Sequence, residues 1–151
     1  MPWILFTADH IRASLAVREL AIYEETAGLD FEGILEDAPG ARIAAIAIRV
    51  ADQFRGLIRS NPQVQAIGPA GTIPAFCLPW AIAIARVSML GLSPVEEGRT
   101  DPRRDEYTDA TKGRDSLATM HAAAFALTES EAAATTATMS ASYGGSPLLV
   151  F

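Results

Sequence analysis

Residues Ile73–Leu92, IPAFCLPWAIAIARVSMLGL, carry a single charge, Arg86. Apolar side chains fall on every side of the helix such a run would make, and a helix apolar all round must be buried, in a core or in a membrane. A spanning helix needs about 20 mostly apolar residues, and here Pro74, Pro79, Arg86 and Gly91 interrupt the run. The stretch therefore reads as the central helix of a small all-α domain. Thr72 stands where a side-chain oxygen caps the first turn. Pro74 falls in that turn, where a missing N–H costs little. Pro79 sits deeper and is expected to bend or loosen the helix near Ala75. Gly91 supplies the C-terminal stop.

A buried helix needs others to cover it. The clearest amphipathic pattern runs from about Ile34 or Pro39 to Ser60. Ile43, Ile46, Ala47, Val50, Phe54, Leu57 and Ile58 recur at three- and four-residue steps, with Arg42, Arg49, Asp52, Arg55 and Arg59 mostly elsewhere. Asn61–Pro62 ends it. Before it, Thr7 and Asp9 open a helix or two short ones broken near Ser14, ending by Gly28, with a connection over Leu29–Gly33. Met1–Phe6 is short and apolar, a docking arm or a first strand. Asn61–Gly71 is uncharged and rich in Pro and Gly. Val64 and Ile67 give it something to bury, so it reads as an ordered loop in which Gln63–Ile67 could pair as a strand. A last helix follows the polar stretch Ser93–Arg104. Thr100 or Asp101 caps it, Pro102 sits in its first turn, and Tyr107, Ala110, Arg114, Leu117, His121 and Ala124 share one stripe. Gly113 weakens that helix by about 1 kcal/mol relative to Ala.

The expected architecture is a bundle of about four helices over residues 1–127 and an extended C-terminal tail over 128–151. Thr128–Ser142 is Ala, Thr, Ser and Glu, with almost nothing large to bury. It ends in the apolar cluster YGGSPLLVF. Such a spacer is expected to be mobile in the free chain. Tyr143, Leu148, Leu149, Val150 and Phe151 are then a plug for a partner.

Chemistry is sparse. His10 and His121 are far apart in sequence and have no neighbouring cysteine, whereas a metal site needs three or four close ligands. His10 with Asp9, Glu19, Glu24 and Glu25 reads as a solvated face. Cys77 has no adjacent activator and reads as a small buried hydrophobe. IGPAGTIP lacks the lysine and the spacing of a phosphate-binding loop. Glu96–Glu97 and Asp105–Glu106 flank helices, where they suit a dipole or solvation role. Arg99, Arg103 and Arg104 alternate with Asp101, Asp105 and Glu106 as surface ion pairs. No catalytic, cofactor-binding or metal-binding residue is assigned. The 151 residues carry a formal charge of −6, which disfavours bulk binding to phosphate backbones. One cysteine precludes an internal disulfide and suits a reducing compartment. MPWILFTADHIR lacks the basic leader and apolar length of a signal peptide. A soluble protein made in the cytoplasm is expected, with no membrane partner.

Three stretches together resemble the small helical neck proteins of tailed bacteriophages, the head-to-tail connector or adaptor proteins. They are the opening FTADHIRASL, the proline-led apolar helix TIPAFCLPWAIAIARVSMLG, and RRDEYTDATKGRDSLATMHAAAFAL, an arginine-bearing helix with an aromatic, alanines and a leucine-containing end. The resemblance covers roughly Thr7–Leu127; the long Ala/Thr spacer departs from the shortest members. It implies a virion protein and not an enzyme. Such proteins form a ring, here expected to be of twelve copies, mounted on the portal protein at the capsid vertex. The ring continues the channel through which DNA passes without sequence-specific binding, and it receives a stopper or tail-completion protein. An acidic chain suits a channel to which DNA must not stick. The lateral contacts of the ring are expected on Pro39–Arg59 and Asp101–Arg114, with Arg55, Arg59, Arg103 and Arg104 at the interface, and the plug on the portal or a neighbouring subunit. The alternative is a small helical DNA-binding or regulatory domain, for which Arg42–Arg59 is the one candidate recognition helix.

Overall fold

A computed structural model describes residues 2–21, 39–92 and 102–132. The described chain is mostly helical. Its elements are a strand β1 (Trp3–Leu5), helix α1 (Ala8–Ser14), helix α2 (Pro39–Ser60), strand β2 (Thr72–Pro74), helix α3 (Leu78–Leu90) and helix α4 (Pro102–Ser116). Single 3₁₀ turns occupy Ala75–Cys77 and Ala122–Phe125. Residues 17–21 and 129–132 are also helical.

The central apolar run is shorter as a helix than expected. α3 begins at Leu78, five residues beyond Ile73, and Pro79 lies in its first turn. Pro79 itself accounts for the shift. Deeper in a helix its ring would meet the carbonyl of Ala75 and remove one bond, at a cost of about 3 kcal/mol; in the first turn it costs nothing. Ile73 and Pro74, left outside, extend and pair antiparallel with β1, Trp3 opposite Pro74 and Ile4 opposite Ile73. The N-terminal segment is therefore a strand and not a docking arm. The Ala75 N–H donates to the Pro2 carbonyl at 3.0 Å and the Phe6 N–H to Gly71 at 3.2 Å, closing both ends of the pair. The Thr72 hydroxyl donates to the Pro69 carbonyl at 2.6 Å, so it holds the preceding loop and does not cap α3. Gln63–Ile67, which could have paired as a strand, has no strand partner among the described residues. At the far end Gly91 takes φ +71°, a left-handed stop that only glycine enters freely.

α3 is covered by α4 on one flank and by α2 and α1 on others. The stripe read on α2 turns inward: Ile43, Ala47, Val50, Phe54 and Ile58 are buried, with Ile46 and Leu57 half-buried beside them. α3 supplies Ala81, Ile84 and Ala85, α1 supplies Ile11, and α4 supplies Ala110. Ile82, read as core, is half-buried at the edge. The alanines are short enough to let helix axes approach closely where they cross. Of the two readings open for the first helical region, one helix or two short ones, the structure has two pieces. α1 stops at Ser14, whose hydroxyl turns back to the Ile11 carbonyl, and helix resumes at residues 17–21.

Each tryptophan lies flat on a glycine. A Cβ on Gly68 would come within 2.5 Å of the Trp3 ring, and one on Gly113 within 2.5 Å of the Trp80 ring. Gly113, which reads as a weak point of α4, is the seat of Trp80. The stripe expected along α4 is also cut short. The helix ends at Ser116, and buried Asn61 holds the turn that follows. Its Nδ2 donates to the carbonyls of Leu117 at 3.0 Å and Met120 at 2.7 Å. Leu117 is buried in that turn, while His121 is exposed at the head of the 3₁₀ turn ending in buried Phe125. The helix caps expected at Thr100 or Asp101, the connection Leu29–Gly33 and the plug Tyr143–Phe151 lie outside the described residues.

Two substitutions test this packing. Phe54→Ala is expected to cost about 3–5 kcal/mol in denaturant unfolding, the range for a buried aromatic, and a loss below about 1 kcal/mol would place Phe54 at the surface. Gly113→Ala in an open helix would stabilise by about 1 kcal/mol; here it is expected to destabilise, and a stabilised variant would mean that Trp80 does not lie on α4.

Candidate functional site

The groups able to do chemistry have structural partners. The Cys77 Sγ is fully buried, and burial pushes its pKa up to about 12. His10 Nδ1 accepts the Thr7 N–H at 3.3 Å and lies 3.0 Å from the Thr7 hydroxyl, while its ring stacks on Phe6. An N–H can only donate, so the lone pair of Nδ1 is committed to the start of α1. His121 Nδ1 accepts the Ala123 N–H at 3.2 Å. Among the described residues no three His, Cys, Asp or Glu side chains converge to hold a metal ion, and no helix is long and apolar enough to cross a membrane.

What the fold does assemble is a charged junction where residues 17–21, α3 and α4 meet. Glu19 accepts from Arg103, and Arg86, the lone charge of the apolar helix, reaches Glu19 at 3.9 Å and Glu106 at 3.6 Å. Arg86 Nε is buried and has no hydrogen-bond partner among the described residues. Trp80, Arg86, Glu106 and Asp109 border an open groove between α3 and α4. The junction staples three helical segments together. Glu19 and Arg86 are largely shielded from water, so their attraction is offset by the cost of desolvating both charges.

The four arginines expected at a lateral interface fall into different settings. Arg103 is bonded to Glu19 within the chain. Arg103→Glu would set two carboxylates against each other, so charge reversal there disturbs the fold as well as any interface. Arg55 is half-buried. Its Nη1 donates to the carbonyls of Gly68 at 3.0 Å and Thr72 at 3.1 Å, and Pro69 lies 2.5 Å away. Burial, with the neighbouring Arg59 adding to it, lowers the Arg55 pKa from its usual value, and Asp52 opposes the shift. Arg55 is therefore the clamp that orders the uncharged loop, and the burial of Val64 and Ile67 is only part of the reason that loop is ordered. Arg59 is exposed on α2 and Arg104 is half-buried on α4.

One residue of the spacer, Glu131, makes a contact with the strand at the other end of the described chain. The Glu131 carboxylate accepts the Trp3 N–H at 2.6 Å through one oxygen and the Thr128 N–H at 2.7 Å through the other, and the Trp3 indole N–H donates to the Phe125 carbonyl at 3.2 Å. Glu131 thus ties the start of the spacer to β1. Those backbone bonds hold the Glu131 carboxyl below its usual pKa. Sequence alone shows an acid in an Ala/Thr tract and gives no sign of its partner at the other end of the chain.

Outward from α2, Ala45, Ile48, Arg49, Asp52 and Gln53 line an open hollow, with Ile48 62% exposed. This is the largest apolar side chain left uncovered on that helix.

The chain matches no protein-family model, no curated protein and no solved structure.

The buried thiol gives a pH test. Cys77 ionises near 9.0 when unburied and near 12 in the fold. A raised pKa means that the fold favours the thiol, so this contribution to stability is full below pH 9 and is lost as pH rises toward 12. Alkylation of the native chain at pH 9 is expected to be slower than in denaturant by roughly two to three orders of magnitude. Equal rates would show that Cys77 is open to solvent.

Proposed function

We propose that this chain is a structural protein of the phage neck, an adaptor that forms a ring on the portal and joins it to a stopper or tail-completion protein. The reading rests on the resemblance carried by FTADHIRASL, TIPAFCLPWAIAIARVSMLG and RRDEYTDATKGRDSLATMHAAAFAL. The observation that supports it best is the outward side of α2. An exposed isoleucine among charges of both signs on a rigid 22-residue helix suits contact with another protein better than it suits a substrate. The reactive side chains, by contrast, are occupied in holding the fold. In this reading Tyr143, Leu148, Leu149, Val150 and Phe151 engage the portal or a neighbouring subunit, DNA passes without being read, and the chain acts in the virion after synthesis in the host cytoplasm.

Truncation tests the role given to the tail. Each of those five side chains offers apolar area worth about 25 cal/mol per Å² when buried. Deleting Tyr143–Phe151 is expected to leave the melting temperature of the domain nearly unchanged and to lower attachment to the portal sharply, read by co-sedimentation with purified portal rings. A truncated chain that melts many degrees lower would place the plug on its own domain and end the docking role.

A further inference from the structure

We infer that the outward side of α2 in one copy of this chain seats on the outward side of α4 in the next. The contact is head-to-tail, and it deepens the ring reading by naming the two surfaces that would close it.

The two helices flank α3. Each packs mainly on it and only slightly on the other, so their solvent sides face different directions, as a heterologous interface requires. Their charges are opposite in balance. Exposed on α2 are Arg42, Arg49 and Arg59 against one acid, Asp52; exposed on α4 are Asp105, Glu106, Asp109 and Asp115 against one base, Lys112. Pairing α2 with a second α2 would leave a surplus of positive charge, and pairing α4 with α4 a surplus of negative charge. Only the mixed pair sets surpluses of opposite sign together.

Spacing adds to sign. Arg49 and Asp52 are three residues apart, and so are Asp109 and Lys112 with the signs exchanged. Both couples therefore span about 4.5 Å along a helix, and parallel helices set Arg49 against Asp109 and Asp52 against Lys112. Arg49 makes no ion pair among the described residues, and the Asp109–Lys112 pair is exposed and loose at 4.0 Å, so little is lost in exchanging it. The same register puts Ile48 opposite the methyl-bearing Thr108 and Gly56 opposite Ser116. A Cβ on Gly56 would meet nothing within 4 Å in the single chain, which leaves room for a neighbour's backbone.

Two singly reversed chains decide the matter. In this register Arg49→Asp sets an acid against Asp109 of the next copy, and Asp109→Arg sets a base against its Arg49. Each alone is expected to self-associate about tenfold more weakly than the unmodified chain, because like charges now meet. Mixed in equal amounts they restore association, since every contact in an alternating chain is again between opposite signs. Sedimentation equilibrium of the full chain reads this. Neither position is buried, so both variants should keep the parent melting temperature. As a second reading, Ile48→Cys and Thr108→Cys chains, with Cys77 sealed in the core, are expected to cross-link to each other through a short bis-maleimide and not to themselves. Recovery only in the mixtures supports the contact. Loss in Arg49→Asp alone, with Ile48→Cys cross-linking to itself, would show a symmetric α2 pair. The absence of any mixed cross-link at the highest soluble concentration would overturn the inference. Association that follows this pattern in a chain that ignores portal rings would keep the contact and remove the neck assignment.

Discussion

α3 has apolar residues on all its faces, and α4, α2 and α1 pack on it, burying Ala81, Ile84 and Ala85 and half-burying most of its other side chains. A helix of this kind cannot rest at a surface, because each exposed turn would leave apolar area in water at about 25 cal/mol per Å². α4 takes one flank, α2 and α1 others, and the strand pair closes the end where Pro79 forbids further helix. Burial of α3 also forces the one charge it carries to find partners. Arg86 meets Glu19 and Glu106 at the seam between helices, and the same Glu19 accepts Arg103. The ion pairs sit there because the packing brings these groups together; they are a consequence of the fold more than its cause.

Among the described residues, segments far apart in sequence are joined by hydrogen bonds. Trp3 is buried on Gly68, paired through its strand to β2, bonded through its indole to Phe125 and through its backbone to Glu131. Asn61 ties the end of α2 to the turn after α4, and Arg55 holds the loop between α2 and β2 by its carbonyls. A buried donor left without such a partner costs about 1–3 kcal/mol. These three side chains, more than the short strands, define where the domain stops.

Periodicity made the core face of α2 legible, because Ile43, Val50, Phe54 and Ile58 repeat with the helix and nothing competes with that pattern. The break near Ser14 and the stop at Gly91 were legible for local reasons of the same kind. The start of α3 was not. Two prolines five residues apart permit a helix from either, and the choice depends on β1, whose pairing has no local signature. Gly113 was misread for a related reason: propensity reports the backbone, while the indole lying on it comes from another helix. Among the candidate site residues, Arg55 and Arg103 looked like surface charges, since spacing shows which face a residue is on but not whether a loop or an acid waits there. Glu19, Arg86 and Glu106 drew no attention as a set, being spread over three segments. The plug residues Tyr143–Phe151 lie outside the described residues.

An exposed isoleucine on α2 and faces of opposite charge on α2 and α4 fit the building block proposed above. We propose that these blocks encircle a portal. Electron microscopy of purified portal rings incubated with the full chain measures this directly. The account predicts an added ring of density on one face of the portal, with one copy of the chain per portal subunit. Portal particles unchanged by a large excess of the chain, or chain bound at scattered sites without rotational order, would contradict it.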